Sequence, residues 1–371
     1  MQTKCDILIL TANFGSGHKS VSKAIETYIK EVNSSCNIKI VDMYKIIRPK
    51  LYKIIYRLFN VLIKYFTPIY NFDYYKKNRN SKFGELHSCY KSSSKRLARF
   101  IDEVQPSIII STFPTCSAYV SKYKIDNNNN IPLITCITDI VHGSEWVHNG
   151  NDMYLVANNS VKNSLVKKGI KEECIKDLGI PIRKDFITIK NRNKLRNEYH
   201  LEEKDFVILM MGGGLGLIPK EVAFYKWIES NKNIKLFIIT GNNNKLYNDI
   251  NKYNKFSNIN ILKFTDKVAD MMTLSDLLIS KPGGITLFEA ISCDLPFIIY
   301  KPILGQELEN CNYIKANKLG LVASNEQELI DKIKLIMCNQ NVRNIIIKNL
   351  SNEKKNIDMS SIGKNICKYL N

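Results

Sequence analysis

The sequence predicts an α/β protein of two domains, each a parallel sheet wound with helices. Near the N-terminus, Cys5 to Thr11 is a β-branched apolar strand. A glycine loop follows from Asn13 to Ser20, and then a helix with Val21, Ala24, Ile25 and Tyr28 on the helical period. The same order recurs late in the chain. Leu277 to Ser280 is a short apolar run, Pro282-Gly283-Gly284 a turn, and Thr286 to Cys293 has Leu287, Ala290 and Ile291 at helical spacing. Pro296 to Tyr300 is a second buried strand, broken by Pro302 to Gly305 before a helix that begins near Glu307. Two such βα units in succession imply a parallel sheet. The length of 371 residues suits two domains that each bury their own core.

Between these landmarks, Pro106 to Thr112, Pro132 to Thr138 and Met153 to Ala157 read as further buried strands of the first domain. Leu178 to Ile182 closes that domain, and Arg192 to Tyr199 opens the second. Asp205 to Met211, Ile234 to Thr240 and Ile259 to Phe264 are its next strands, and Gln327 to Asn349 and Ser360 to Leu370 look helical. The expected domains are residues 1–182 and 183–350, with residues 351–371 forming a C-terminal helix that packs back toward the first.

The formal charge of +19 favours an anionic partner: nucleic acid, an acidic lipid surface or a phosphorylated substrate. The ten cysteines include no Cys-x-x-Cys pair, which argues against a zinc ribbon or a disulfide framework and for reduced cytosolic thiols. No segment reaches the ~18 continuous apolar residues of a membrane span, and Ile7 to Leu10 is too short for a signal-peptide core.

From Met43 to Arg99 the character changes. Basic residues outnumber Asp73 and Glu85 about sevenfold, with aromatics interleaved. Lys50, Lys53, Arg57, Asn60 and Lys64 form a narrow polar stripe on a helix otherwise covered by apolar side chains. An interfacial helix looks like this, its apolar face in the acyl boundary and its lysines among anionic headgroups; a core helix with a basic edge fits as well. Pro68 is expected to end it, with Tyr70 to Arg79 a mobile, membrane-facing loop.

The densest chemistry lies between Ile279 and Asn310. A Gly-Gly turn at a helix start lets the backbone approach an anion, and the N–H groups of the first turn suit a pyrophosphate. Glu289 lies about 7–8 Å along that helix, at ~1.5 Å per residue, where a carboxylate suits a ribose diol. Gln306, Glu307 and Asn310 form a polar cluster without a basic partner, the kind that reads hydroxyls. Taken singly, these features also fit a plain βα turn, a solvated helix face and an ordinary helix start. Together they describe a nucleotide-sugar site.

Lys281-Pro282-Gly283-Gly284, Thr286, Glu289-Ala290, Pro296, Pro302 and Gly305-Gln306-Glu307 with Asn310 resemble the donor signature of one glycosyltransferase family. It contains the monogalactosyldiacylglycerol synthases and the processive diacylglycerol glucosyltransferases. Gly15-Ser16-Gly17-His18-Lys19 resembles the Gly-Gly-Gly-His-Arg segment near the start of the same enzymes, with Ser16 for a glycine and Lys19 for an arginine. It is not a P-loop, because His18 intervenes between Gly17 and Lys19-Ser20.

The resemblance implies the GT-B architecture, two Rossmann-like domains facing across a cleft, with acceptor and membrane bound by the first and donor by the second. It implies inverting transfer of glucose or galactose from a UDP-sugar to diacylglycerol at the cytosolic face of a membrane, to which the protein attaches peripherally. His18 is the candidate base, since an imidazole with a pKa near ~6.5 can take a proton from an attacking hydroxyl. Asp139, at the end of the Pro132 strand, either is the base, orients His18 or caps the next helix.

Gly15, Gly17 and Trp146 are expected toward the acceptor, Trp146 alternatively in the core, and Lys53, Arg57 and Lys64 toward the membrane. The glycine run Gly212-Gly213-Gly214, Lys281, Gly283, Gly284, Thr286, Glu289, Gln306, Glu307 and Asn310 are expected to hold the donor, with Phe264 edging the uracil. No Asp-x-Asp occurs, so no obligatory metal or cofactor is expected, and no nucleic-acid motif is present. Rival readings are N-acetylglucosamine transfer to a lipid-linked cell-wall precursor, a UDP-sugar epimerase, and an inactive membrane-binding protein.

Overall fold

The computed structural model describes residues 4–370 apart from 16, 81–89, 141–142, 189 and 214–215. The chain divides into two compact units. One comprises residues 1–183, 304–306 and 356–371, the other residues 184–303 and 307–355.

In the first unit, β1 (Ile7–Thr11), β2 (Ile38–Asp42), β3 (Ile108–Ser111), β4 (Leu133–Cys136), β5 (Met153–Leu155) and β6 (Ile175–Lys176) form one parallel sheet in the order 2-1-3-4-5-6. β1 is buried at every position, as a strand covered by helices on both faces must be. The helices are α1 (Gly17–Val32), α2 (Met43–Ile47), α3 (Tyr52–Tyr65), α4 (Thr67–Asn80), α5 (Tyr90–Val104), α6 (Pro114–Asp126) and α7 (Asn159–Lys167). α1 buries Val21, Ala24, Ile25, Tyr28 and Ile29, one stripe at the helical period. Leu8 and Leu10 point to a core shared with Met43, Ile47, Leu97 and Ile101.

One expectation is corrected here. The segment after Pro68 is not a loop but α4, and Pro68 is its second residue. A proline there costs no helical hydrogen bond, because the first-turn N–H groups have no partner one turn earlier. The proline ends one helix and begins the next.

The second unit contains α8 (Arg192–Glu198), β7 (Phe206–Met211), α9 (Val222–Ser230), β8 (Ile234–Ile239), α10 (Asn244–Ile250), β9 (Ile259–Leu262), α11 (Val268–Leu274), β10 (Leu277–Ser280), α12 (Gly284–Ser292), β11 (Phe297–Tyr300), α13 (Gly305–Ala316) from Glu307 onward, β12 (Gly320–Ala323), α14 (Glu326–Cys338) and α15 (Gln340–Lys354). Its sheet is also wholly parallel, in the order 12-11-10-7-8-9. The expected helix Gln327 to Asn349 is two helices, divided at Asn339, whose side chain accepts from the Val342 N–H at 3.1 Å and caps α15.

Both sheets reverse their winding beside their first strand. In the first unit the chain steps to β2 on one side of β1 and returns to β3 on the other; in the second it leaves β7 toward β8 and returns to β10. Open α/β sheets bind ligands at the carboxyl ends of strands at such reversals.

The final helix, α16 (Ser361–Cys367), lies on α1 within the first unit. A Cβ at Gly363 would stand 2.1 Å from the Tyr28 carbonyl oxygen, so the two helices touch through backbone. The Asp358 N–H also donates to the Leu178 carbonyl at 3.1 Å. Gly363→Ala is expected to lift α16 from α1, read as faster proteolytic trimming of the C-terminal segment at a temperature where the wild type resists.

Candidate active site

In the first unit the reversal carries the loop of Asn13, Phe14 and Gly15. Gly15 has φ +111°, a conformation rarely open to L side chains, and the chain turns there from β1 into α1. His18 is the second residue of α1. Its Nδ1 is 2.9 Å from the Thr112 carbonyl at the end of β3 and 3.1 Å from Thr138 Oγ1 beyond β4, so three strand ends converge on one ring. A carbonyl only accepts, so Nδ1 donates, and the neutral imidazole carries its lone pair on Nε2. Phe113 packs edge-on against the ring at 4.9 Å.

Phe14, in the same loop, meets Tyr44, Tyr56, Phe59 and Phe113. The Tyr56 hydroxyl donates to Asp42 at 2.6 Å and accepts the Asn13 N–H at 3.0 Å. Burial, and after it that carboxylate, push the phenol far above its ordinary range, so it stays protonated. α3 thereby grips the loop that presents His18. Tyr56 is absent from the sequence-based candidates, because one tyrosine among many in an aromatic, basic stretch carries no mark.

Asp139 follows Thr138 at the end of β4 and is half-buried. Trp146 is 2% exposed, among the largest fully buried side chains. An enclosed indole has no face to offer a ligand, so Trp146 belongs to the core and not to an acceptor surface.

The outer side of α3 is apolar and uncovered: Leu51, Ile54, Leu58, Val61 and Tyr65, at alternating spacings of three and four, are 44–65% exposed. Ile69 and Phe72 of α4 are 61% and 71% exposed. Lys53, Arg57 and Lys64 are exposed as well. The described part of α3 is therefore no core helix, although Ile63 points inward.

In the second unit the loop after β7 and the turn after β10 lie side by side. Gly213 has φ +61°, and a Cβ there would come within 3.0 Å of Lys281 Cε. Gly214 lies outside the described residues. The cap residue of α12 is Gly283, which has no side chain to accept the first-turn N–H groups. Thr286, in that first turn, is half-buried, and Glu289, one turn further, is 9% exposed and so not on a solvated face.

The polar cluster of α13 does have a basic partner, contrary to expectation. Glu307 is 2% exposed; its Oε1 takes the Lys281 ammonium at 3.2 Å and its Oε2 the Ile303 N–H at 3.1 Å. Asn310, fully buried, donates to the Pro282 carbonyl at 2.7 Å. These two residues fasten the Lys281 to Gly284 turn, because burial obliges a carboxylate and an amide to find partners inside the protein. Gln306 is half-buried at the start of α13. Phe264, beyond β9, is 70% exposed.

Residues 18–182 match the family model described as monogalactosyldiacylglycerol (MGDG) synthase, and residues 191–353 the one described as glycosyl transferases group 1. A processive diacylglycerol beta-glucosyltransferase of Bacillus licheniformis is 27% identical over 359 residues, which cover 96% of this chain and 91% of that one. The chain is a glycosyltransferase similar to this family over nearly its whole length.

The glycosyltransferase shares its fold with more distant proteins. A UDP-GlcNAc 2-epimerase from Neisseria meningitidis, solved with UDP-GlcNAc, superposes with a TM-score of 0.64 at 12% identity, over 98% of this chain and 99% of that one. The Anabaena protein HepE, crystallised with UDP and glucose, does so at 0.56 and 14% identity, over 99% of each chain. The α/β fold of the glycosyltransferase is thus the GT-B type.

Proposed function

We propose that this glycosyltransferase moves a hexose from a UDP-sugar to the sn-3 hydroxyl of diacylglycerol, working as a peripheral protein on the cytosolic face of a membrane. The observation that carries the reading is the pair of strand-end sites. The first unit presents an imidazole whose lone pair is on Nε2, and the second an uncapped helix start beside a lysine. The relatives' names supply the acceptor, and the UDP, glucose and UDP-GlcNAc in the structural neighbours support the donor.

In this reading Nε2 of His18 removes the acceptor proton as its oxygen bonds to the anomeric carbon. The bond from that carbon to the UDP oxygen breaks on the opposite side, and UDP leaves with the electron pair. Opposite-side attack inverts the configuration and gives a β-glycoside. The diphosphate charge is met by the first-turn N–H groups of α12 and the Lys281 ammonium. Glu289 takes the ribose, Phe264 the uracil edge, and Thr286 and Gln306 contact the donor.

The experiment is a transfer assay with UDP-glucose and UDP-galactose in parallel, using diacylglycerol in anionic vesicles and separating the lipid products. A labelled glycolipid with one donor names the sugar. No lipid product with either, from folded protein that binds UDP, overturns the acceptor and moves the reading to N-acetylglucosamine transfer.

Membrane attachment rests on the exposed apolar side of α3 and its cations, and no helix among the described residues is long and apolar enough to cross a bilayer. Each surface cation near anionic lipid contributes ~1 kcal/mol. Reversing Lys53, Arg57 and Lys64 to Glu is therefore expected to weaken binding to anionic vesicles at least ~100-fold in sedimentation. Unchanged binding removes α3 from the interface.

A further inference from the structure

The polar environment of His18 contains more than a partner for the ring. Ser22, Thr112 and Thr138 are 0%, 0% and 2% exposed, and their hydroxyls gather on the single residue His18. Ser22 Oγ donates to the His18 carbonyl at 2.9 Å and lies 3.0 Å from Thr112 Oγ1. Thr112 Oγ1 also reaches the His18 carbonyl at 3.4 Å. The main chain at residue 18 is thus tied to the end of β3 by the same threonine whose carbonyl receives the ring nitrogen. Buried hydroxyls are costly unless satisfied, so three converging on one residue restrict both its backbone and its ring.

Thr138 differs from the other two because its side chain touches the imidazole itself, on Nδ1 and not on Nε2. The Thr112 carbonyl defines Nδ1 as a donor, and the Thr138 oxygen is a second atom on the same nitrogen. A ring fixed at one nitrogen by two points on different strand ends cannot turn over without losing both. Resting on the proposed role of His18 as base, we infer that Thr138 is a positioning residue of the transfer reaction. With the Thr112 carbonyl it holds His18 as the Nδ1–H tautomer, so that Nε2 is the atom that takes the acceptor proton.

The test is 15N NMR of full-length enzyme labelled at histidine, above pH ~8, where an imidazole of ordinary pKa is neutral. The chain has five histidines, and comparison with His18→Gln identifies the signal of interest. The expected spectrum shows a protonated Nδ1 and a lone-pair Nε2 at His18. This arm needs no stable Thr138 variant. Thr138→Val leaves the ring on the Thr112 carbonyl alone and is then expected to broaden its Nδ1 signal by motion and lower kcat about 5- to 10-fold, the scale of one lost hydrogen bond, with donor KM unchanged. Thr138→Ser, which restores an oxygen, is expected to restore both.

A protonated Nε2 in the wild type overturns the proposal. So does Thr138→Val with wild-type spectrum and kcat. Activity that persists in His18→Ala overturns the base reading instead, while the wild-type spectrum remains what it is, and the two failures are therefore distinct.

Discussion

His18→Ala is expected to lower kcat for lipid glycosylation by roughly 10³-fold, within the ~10²–10⁴ that a positioned general base contributes, while UDP affinity stays within about twofold. The first effect follows from removing the atom proposed to accept the hydroxyl proton. The second follows from the fold. His18 belongs to the sheet of β1 to β6, whereas the residues assigned to UDP belong to that of β7 to β12. Stability is expected to fall by about 1–3 kcal/mol, because the Thr112 carbonyl and the buried Thr138 hydroxyl lose the ring nitrogen. Single-turnover transfer and UDP calorimetry on the same preparation separate the two readouts. A variant that still transfers at a tenth of the wild-type rate takes His18 out of the chemistry, and Asp139 becomes the group to replace next.

How far this site is legible in the sequence depends on what kind of contact each residue makes. Strands buried on both faces read as unbroken apolar runs, so β1, β3 and β11 stand out from neighbours alone. β2, with the sequence IKIVD, is half-buried throughout and mixes Lys39 and Asp42 into its run, as an edge strand does. β6 is two residues long. Neither is marked by such a run. α4 is unmarked for another reason: its apolar residues Ile69, Tyr70, Phe72, Tyr74 and Tyr75 follow no single helical spacing, leaving no periodic stripe.

Within the site, glycines and His18 are visible because the spacing of a turn and a helix start is local. The pairing of Glu307 with Lys281 is not, since α12, β11 and their turns separate them by 26 residues. The Thr112 partner of His18 is a backbone carbonyl, for which any residue at that position serves, so no side-chain pattern announces it. Trp146 shows the same limit from the other side: an aromatic residue in a polar loop looks like a ligand contact until its burial is known.

Lys281→Met is the other substitution with a large expected effect, and it acts on stability and donor affinity at once. Its ammonium lies 3.2 Å from a Glu307 carboxylate whose side chain is 3% exposed. Removing the cation breaks this ion pair, which costs ~3–5 kcal/mol for a fully buried pair. Lys281 is 32% exposed, and solvent reduces the loss to about 2–3 kcal/mol. UDP affinity is expected to fall about 10- to 100-fold, the value of one charge-assisted hydrogen bond to phosphate.

The double variant Lys281→Met with Glu307→Gln separates the two effects. Without a charge on residue 307 the stability is expected to return to within ~1 kcal/mol of wild type in chemical denaturation, and UDP affinity is expected to stay low. Recovery of affinity along with stability assigns Lys281 a purely structural role. Glu307→Gln alone decides what the carboxylate does. If Glu307 serves to hold Lys281, UDP and UDP-hexose affinities move together. If it reads hexose hydroxyls, only UDP-hexose affinity falls, because UDP carries no sugar for it to lose.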